Sequence, residues 1–329
     1  MRKASELGER KIIEIIKGCL ETMPKMPVPF GDDISAVQFN RNTLAVIKTD
    51  MLIGKTDVPQ GMSLRQAARK AVVMNVSDFA AKGVSPVAVL VALGLPRSCS
   101  EEDIRQIGLG LNEGAREYGT YIVGGDTGES SDLVISCSLL GFCNNRTLVK
   151  RSTAKPGDMV AVTGEFGKTA AGLKILLEQR IMPRKIEKPL TEAVYMPKAR
   201  LKEGIALAET GALTASIDSS DGLAWSLHEL SVASNVGFRI DSVPLASETV
   251  EFARIFGFNA LELGLYGGEE YELVVTVKPM FWGKAENALE KLESRLIRIG
   301  TVTKEKKLEL KTDEETLTII PKGWEHFKS

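Results

Sequence analysis

Apolar residues recur along this chain at two periods, and the changes of period outline its elements. Residues 43–48 form a short run rich in apolar residues that predicts a strand. Ser63, with Gln66 three residues on, forms a capping box that starts a helix, and Gly83 ends it. The unbroken apolar run 87–93 predicts a buried strand. Ser100 opens a second helix whose stripe is Ile104, Ile107, Leu111, Ala115 and Tyr118, closed by Gly119. Strands are expected at 121–123 and 133–140. Residues 150–158 are polar and turn-rich and read as a linker. The pattern then restarts with a strand at 159–163, a helix from Lys168, a helix at 198–209, a strand at 213–217 and a helix from Leu223. A strand at 271–277, a helix at 280–294 and short strands complete it. Strands alternating with helices in both halves predict an α/β protein of two domains, 1–150 and 151–329, with no sequence repeat between them.

Carboxylates punctuate these apolar runs. Phe30-Gly31-Asp32-Asp33, Val46-Ile47-Lys48-Thr49-Asp50, Ile122-Val123-Gly124-Gly125-Asp126 and Ser216-Ile217-Asp218-Ser219-Ser220-Asp221 each close on acid. Taken singly, each has an ordinary explanation: a turn at Asp32, Asp33 or Asp126, a helix cap at Asp221. Asp78 resists one. It shares a helix face with Ala71, Asn75 and Lys82, between apolar Val72, Val73, Val76 and Phe79. A polar stripe inside an apolar helix predicts a buried polar site, and gathered carboxylates stay ionised only with cations between them. Oxygen donors without histidine or thiolate suit hard cations such as Mg2+, which usually arrives with a phosphate. The pattern therefore points to nucleotide phosphate chemistry.

Composition narrows the choice. The chain has 329 residues and is 43% apolar, enough for a sizeable core. Its 42 basic and 43 acidic side chains give no electrostatic case for nucleic acid or an anionic membrane. No apolar run reaches membrane length and the first residues lack a signal-peptide apolar core, so a cytoplasmic protein is expected. Cys19, Cys99, Cys137 and Cys143 show no CxxC spacing and are expected to be free thiols. With only His228 and His326, a Ser-His-Asp or zinc enzyme is disfavoured. His228, beside Glu229 on a helix, reads as structural.

Two glycine-rich motifs fail. Gly164-Glu165-Phe166-Gly167-Lys168-Thr169 has the composition of a phosphate-binding P-loop, but Val162 stands where that loop needs its first glycine. The turn still offers amides at a helix start to a nucleotide. Gly108-Leu109-Gly110 with Gly114 falls inside a helix and reads as close packing.

Taken in order, GDD, TDML, NVSDFAAKG, GGDT, RSTAKPGD, VTG, SSDGL, GGEEYEL and GWEHF, spread from Gly31 to Phe327, resemble the thiamine-monophosphate kinases, a family grouped with aminoimidazole ribonucleotide synthetase. The resemblance implies an N-terminal mixed sheet with flanking helices that pairs in a homodimer, and a C-terminal α/β domain completing the nucleotide and substrate site. It implies several Mg2+ ions and ATP as co-substrate. Asp32, Thr49, Asp50, Asp78, Asp126, Asp218 and Asp221 would be metal ligands, and Gly125, Asp126, Arg151 and Ser220 would lie at ATP. Asp126 and Arg151 are the expected catalytic residues, and Asp57, Glu269 and Trp324 the expected contacts to thiamine monophosphate. Two positions depart from the family pattern: Asp57-Val58 stand where histidine and phenylalanine are common, and Lys48 where a hydroxyl residue is common.

The implied reaction is direct in-line transfer from ATP to a phosphate oxygen. A phosphate monoester has a second pKa of about 6, so the acceptor is largely dianionic at neutral pH and needs no general base. The difficulty is bringing that dianion against the ATP tail, which suits a site rich in acids and Mg2+ and poor in histidine. Two alternatives stay open: a sister synthetase of the same fold that uses ATP to activate an amide oxygen, and a nucleotide-binding regulator without catalysis. A selenophosphate synthetase would want a reactive cysteine near the N-terminus, for which Cys19 is a poor candidate. A hydrogenase-maturation relative would want a C-terminal cysteine, and this chain ends His326-Phe327-Lys328-Ser329.

Overall fold

A computed structural model describes residues 3–312, 315–325 and 327; His326 lies outside the described residues. The first sheet contains β1 (Ser35–Gln38), β2 (Thr43–Ile53), β3 (Pro86–Leu95), β4 (Ile122–Glu129) and β5 (Val134–Asn144), in the order β1-β2-β5-β3-β4. It is mixed: β3 and β4 are parallel and the other neighbours antiparallel. The second sheet contains β6 (Met159–Val162), β7 (Leu213–Asp218), β8 (Gly237–Ile240), β9 (Leu273–Val277), β10 (Ile297–Thr303), β11 (Leu308–Lys311) and β12 (Thr316–Thr318), in the order β12-β11-β8-β10-β6-β9-β7. Helices flank both sheets, giving a two-domain α/β fold.

The helix Leu64–Lys82 joins the halves. Ser63 and Gln66 cap its start reciprocally, and Gly83 closes it with φ 65°. It packs against β2 and β5 on one side and against β7 and the helix Leu201–Glu209 on the other. Clamped between two layers, the helix is buried on almost every side from Ala67 to Lys82, so apolar residues flank its polar stripe. Val72, Val73, Val76 and Phe79 are fully buried. They share one core with Val46 and Ile135 of the first sheet and with Leu273 and Val275 of the second.

β2 and β4 outrun the expected apolar runs furthest. β2 continues past residue 48 to Ile53, paired with β5 along its length, and β4 continues past residue 123 to Glu129, paired with β3. Ladder hydrogen bonds there outweigh the poor strand propensity of glycine and aspartate. Asp50 and Asp126 consequently lie inside strands rather than at turns. Gly125 is needed for that pairing, because a Cβ on it would sit 1.9 Å from the Val91 carbonyl oxygen. The helix expected at 280–294 is shorter, Trp282–Glu290, after a 3-10 turn at Pro279–Phe281. Residues 150–158 are irregular but tied down: Lys150 Nζ donates to the Pro27 carbonyl at 2.7 Å and the Ala154 N–H to Ser234 Oγ at 3.1 Å.

The first sheet meets the central helix with one face only. Its other face is open, with Ile47, Met51 and Leu90 45%, 54% and 52% exposed. The four cysteines are free. Among the described residues no helix is long and apolar enough to cross a membrane.

Candidate active site

Three carboxylates from three segments converge beside the central helix. Asp33 precedes β1, Asp78 lies on the helix and Asp218 ends β7. All three are buried, and each offers an oxygen within 4.8 Å of the other two. Such a gathering repels itself, and the chain answers with cations. Lys82 Nζ lies 2.7 Å from Asp32 Oδ1 and 2.5 Å from Asp33 Oδ2. Lys48 Nζ lies 2.9 Å from Asp78 Oδ2 and 3.1 Å from Asp50 Oδ1. The Arg151 guanidinium is bound to Asp33, donates to the Gly31 carbonyl at 3.0 Å and reaches Glu229 at 3.2 Å. The Arg151 backbone N–H donates to Asp32 Oδ2 at 3.1 Å. Asp218 Oδ2 accepts from Ser77 Oγ at 2.6 Å.

The balance differs from acid to acid. Burial alone would raise Asp33, yet Arg151 and Lys82 hold it below the ordinary carboxylate value. Burial pushes Asp78 well above that value, and Asp50, Asp218 and Asp33 add to the push against Lys48. Burial, reinforced by Asp33, raises Asp218 to about 6. Asp221 is raised to about 7, first by burial and then by Glu9, but its side chain stays 39% exposed, so water screens part of that effect. Burial alone would lower the Lys48 ammonium, but Asp78 and Asp50 raise it. Lys48 therefore stays charged. The cluster as it stands is short of positive charge at Asp78 and Asp218.

The structure thus brings together Asp32, Asp50, Asp78 and Asp218 from the expected ligand set. Asp221 and Ser220 follow in the loop after β7, with Arg10 4.0 Å from Asp221. Asp33, which lies outside the expected ligand set, is the more central acid of the pair with Asp32. Lys82 was legible: it sits four residues from Asp78 on the polar stripe. Arg151 braces the Asp32–Asp33 loop.

Thr49 and Asp126 go elsewhere. Asp50 pairs with Cys137 and that with Val91, both buried on the helix side of the sheet. Strand residues alternate between faces, so Thr49 falls on the open face, where it meets Ser138 Oγ at 3.0 Å. Asp126 pairs with Ala92, Ala92 with Ser136 and Ser136 with Met51, which puts it on that same open face. It lies three strands, about 14 Å, from β2. Within a single chain Asp126, an expected metal ligand with Asp50 and Asp78, lies on the opposite face of the sheet from Asp50, because β4 runs on as a strand. Thr49 and Asp32 do border a common cleft of about 700 Å³ at the edge of the open face.

A second cavity, about 350 Å³, lies further along the central helix and is lined by Asp57, Lys70, Glu269 and Trp324 together with Leu173 and Leu177. The three residues expected at the organic part of the substrate are therefore neighbours, although they come from both halves and the chain end. Lys70 and Asp78 are eight residues apart, a separation of about 12 Å along the helix axis. The loop after β7 ties the two places together. The Ser220 carbonyl accepts from the Glu269 N–H at 2.6 Å, the Ser219 carbonyl from the Tyr271 N–H at 2.9 Å, and the Asp221 carbonyl from the Trp324 N–H at 3.3 Å.

The P-loop-like turn is already filled. The half-buried Glu270 carboxylate accepts from the Gly167 N–H at 2.6 Å and the Thr169 N–H at 3.2 Å, taking the amides that a nucleotide phosphate would need. His228 packs against Trp225, ring centroids 5.0 Å apart, as a structural residue would.

Comparison with known proteins places this geometry. Residues 31–143 match the family "AIR synthase related protein, N-terminal domain" and residues 155–313 match "AIR synthase related protein, C-terminal domain". The chain is 34% identical to the thiamine-monophosphate kinase of Nitrosopumilus maritimus, over 98% of this chain and 100% of that protein. It is 38% identical to that of Pyrococcus horikoshii, over 91% of both. A solved structure of AaThiL complexed with AMPPCP and TMP superposes with a TM-score of 0.86 at 29% identity, covering 99% of both chains. The thiamine monophosphate kinase of Aquifex aeolicus superposes with a TM-score of 0.80 at 27% identity, over 93% of this chain and 97% of that one. Two matched domains in order, near-complete coverage and a shared fold establish that this chain belongs to the thiamine-monophosphate kinase family of the AIR synthase related proteins.

Proposed function

We propose that this protein transfers a phosphoryl group from ATP to the phosphate of thiamine monophosphate, giving thiamine diphosphate and ADP. It is an ATP-dependent phosphotransferase. The observation that carries the reading is the pairing of two sites on one helix. A buried acid cluster suits phosphates, and a separate cavity with an aromatic wall suits the organic part of the acceptor.

The acid cluster fits Mg2+. Its donors are all oxygen, and burial has left Asp78 and Asp218 under-compensated, which a hard divalent ion corrects. Asp33, Asp78 and Asp218 would hold it, with Asp32 and Asp50 beside them. When bound, it supplies neutralisation of charge shared between donor and acceptor phosphates. The chain does the rest. Arg151 and Lys82 fix the Asp32–Asp33 loop against the central helix. Lys48 places one fixed charge between Asp50 and Asp78, where the family commonly has a hydroxyl. The acceptor arrives as a dianion, so no residue has to remove a proton. Trp324 is placed to stack on the thiazolium, a contribution of roughly 0.5–2 kcal/mol. Asp57 and Glu269 set the charge of that cavity.

We assign the open face of the first sheet to a second copy of this chain, making a homodimer through residues 1–150 while residues 151–329 complete the site. Gly125, Asp126 and Thr49 then act where the copies meet, and Ser220 lies at the nucleotide side of the loop after β7. Purified protein with ATP and Mg2+ is expected to form thiamine diphosphate from thiamine monophosphate. ATP turnover only with an amide-bearing purine precursor would make it a synthetase, and nucleotide binding without any turnover would make it a regulator.

Carboxyls with raised pKa values set a pH dependence. Asp218 is raised to about 6 from an ordinary 3.8, and burial raises Glu270 to about 7 from 4.5. Between those limits the folded chain binds more protons than the unfolded one, so stability falls as pH rises. Without divalent cation, the melting temperature is expected to drop from pH 5 to pH 7.5. Added Mg2+ should raise it more at pH 7.5 than at pH 5. Equal Mg2+ shifts at both pH values would contradict the assignment of the cluster.

A further inference from the structure

We infer that Lys70 is a positioning residue for the organic half of the substrate, acting by clamping Glu269 into the second cavity; this rests on the reading of that cavity as the acceptor site. Lys70 is 1% exposed, among the largest fully buried side chains of the molecule. Burying an ammonium is costly unless its donors are met. Two partners meet it here: Glu269 Oε1 at 2.5 Å and the Asp57 carbonyl at 3.0 Å. Both belong to residues that line the same cavity, and Lys70 lines it too. Glu269 keeps its second carboxylate oxygen for a ligand in the cavity.

The backbone at Glu269 is a separate observation. It adopts φ 63°, a left-handed conformation that a side chain disfavours, and Tyr271 does the same at φ 53°. Gly267 and Gly268 precede them, so the chain had glycines at hand yet places glutamate at the strained position. Strain of this kind persists where the surroundings over-determine it. Here they do so twice, through the Lys70 ion pair and through the Glu269 N–H on the Ser220 carbonyl. Lys70 reaches across from the first half of the chain, so the clamp also fixes how the loop 267–271 meets the central helix. A carboxylate held this way presents one acceptor oxygen toward an amino group or ring cation, while Lys70 cancels its charge. The cavity is then selective for an aminopyrimidine or similar cationic heterocycle without attracting simple cations.

The test is thiamine monophosphate binding by titration calorimetry without ATP, alongside steady-state kinetics, for the wild type, Lys70→Gln, Lys70→Arg, Glu269→Gln and the double variant Lys70→Gln/Glu269→Gln. Lys70→Gln is expected to weaken binding and raise KM for thiamine monophosphate about ten-fold or more, the scale of losing one charged partner. KM for ATP should stay within about two-fold, and Lys70→Arg should recover part of the loss. The double variant should be no worse than the poorer single variant, because the two residues act as one unit. Wild-type affinity in Lys70→Gln, equal rises in both KM values, or strictly additive losses in the double variant would overturn the inference. Should Lys70→Gln fail to fold, Glu269→Gln and Lys70→Arg carry the same comparison, and wild-type affinity in both would overturn it equally. Absence of thiamine monophosphate binding and turnover in the wild type would instead overturn the functional reading itself.

Discussion

Asp78→Asn is expected to lower turnover by about 10²–10³-fold, the scale of removing one preorganised charge contact at a reacting group, while leaving the metal-free fold at least as stable. The two halves of that expectation come from one fact. Asp78 is buried with Asp33 and Asp218, and burial raises it well above the ordinary carboxylate value. Its charged form is therefore disfavoured in the folded chain without metal, so a neutral amide of the same shape relieves repulsion. The ion pair to Lys48 is lost, but Lys48 keeps Asp50 at 3.1 Å. What disappears is the third carboxylate of the cluster, and with it the Mg2+-dependent rise in melting temperature. Kinetics and melting curves with and without Mg2+ settle the matter. A variant with near wild-type turnover, or one that melts far below the wild type in chelator, would remove Asp78 from the site.

Leu90→Arg is expected to convert a dimer into a monomer and to suppress activity with it. Leu90 is 52% exposed at the middle of the open face, between Ser138 of β5 and Gly124 of β4 in register. In a single chain the substitution faces water and costs little. In a two-fold pair it puts a charge into an apolar contact and repeats it on the other copy. Ile47 and Met51 extend the same face across β2, adding exposed large apolar side chains of the kind that mark an association surface. Thr49 and Asp126 share that face, so loss of pairing should be felt in turnover and not only in mass. Sedimentation at micromolar concentration provides the measurement. A wild-type protein that sediments as a single monomer while fully active would sink both the dimer and the roles given to Thr49 and Asp126.

Much of this was written in one dimension. The capping box at Ser63, the stripe of the helix Glu101–Glu117 and the apolar strands all follow from local pattern and local hydrogen bonding. The buried polar stripe of Ala71, Asn75, Asp78 and Lys82 was legible because helical spacing is fixed, and it pointed to the cluster before any fold was known. The ordered motifs then identified the family, which no single motif specifies.

Other features waited for the fold, because they depend on which chain segments become neighbours. Strand length is one: pairing with β5 and β3 drew Asp50 and Asp126 into ladders. Alternation across the sheet then sent Thr49 and Asp126 to one face and Asp50 to the other, a division set by the pairing that no motif spelling reveals. Partner choice is another. Asp33 rather than Asp32 became central because Arg151 and Lys82 close on it from 118 and 49 positions away in the chain. Glu270 fills the turn that looked ready for a phosphate. Nothing in the local pattern marks Lys70, whose partner Glu269 comes from the loop 267–271 in the other half of the chain. Sequence determined which groups are present and on which local element; long-range packing decided which charges must share a dry space, and so which of them form the site.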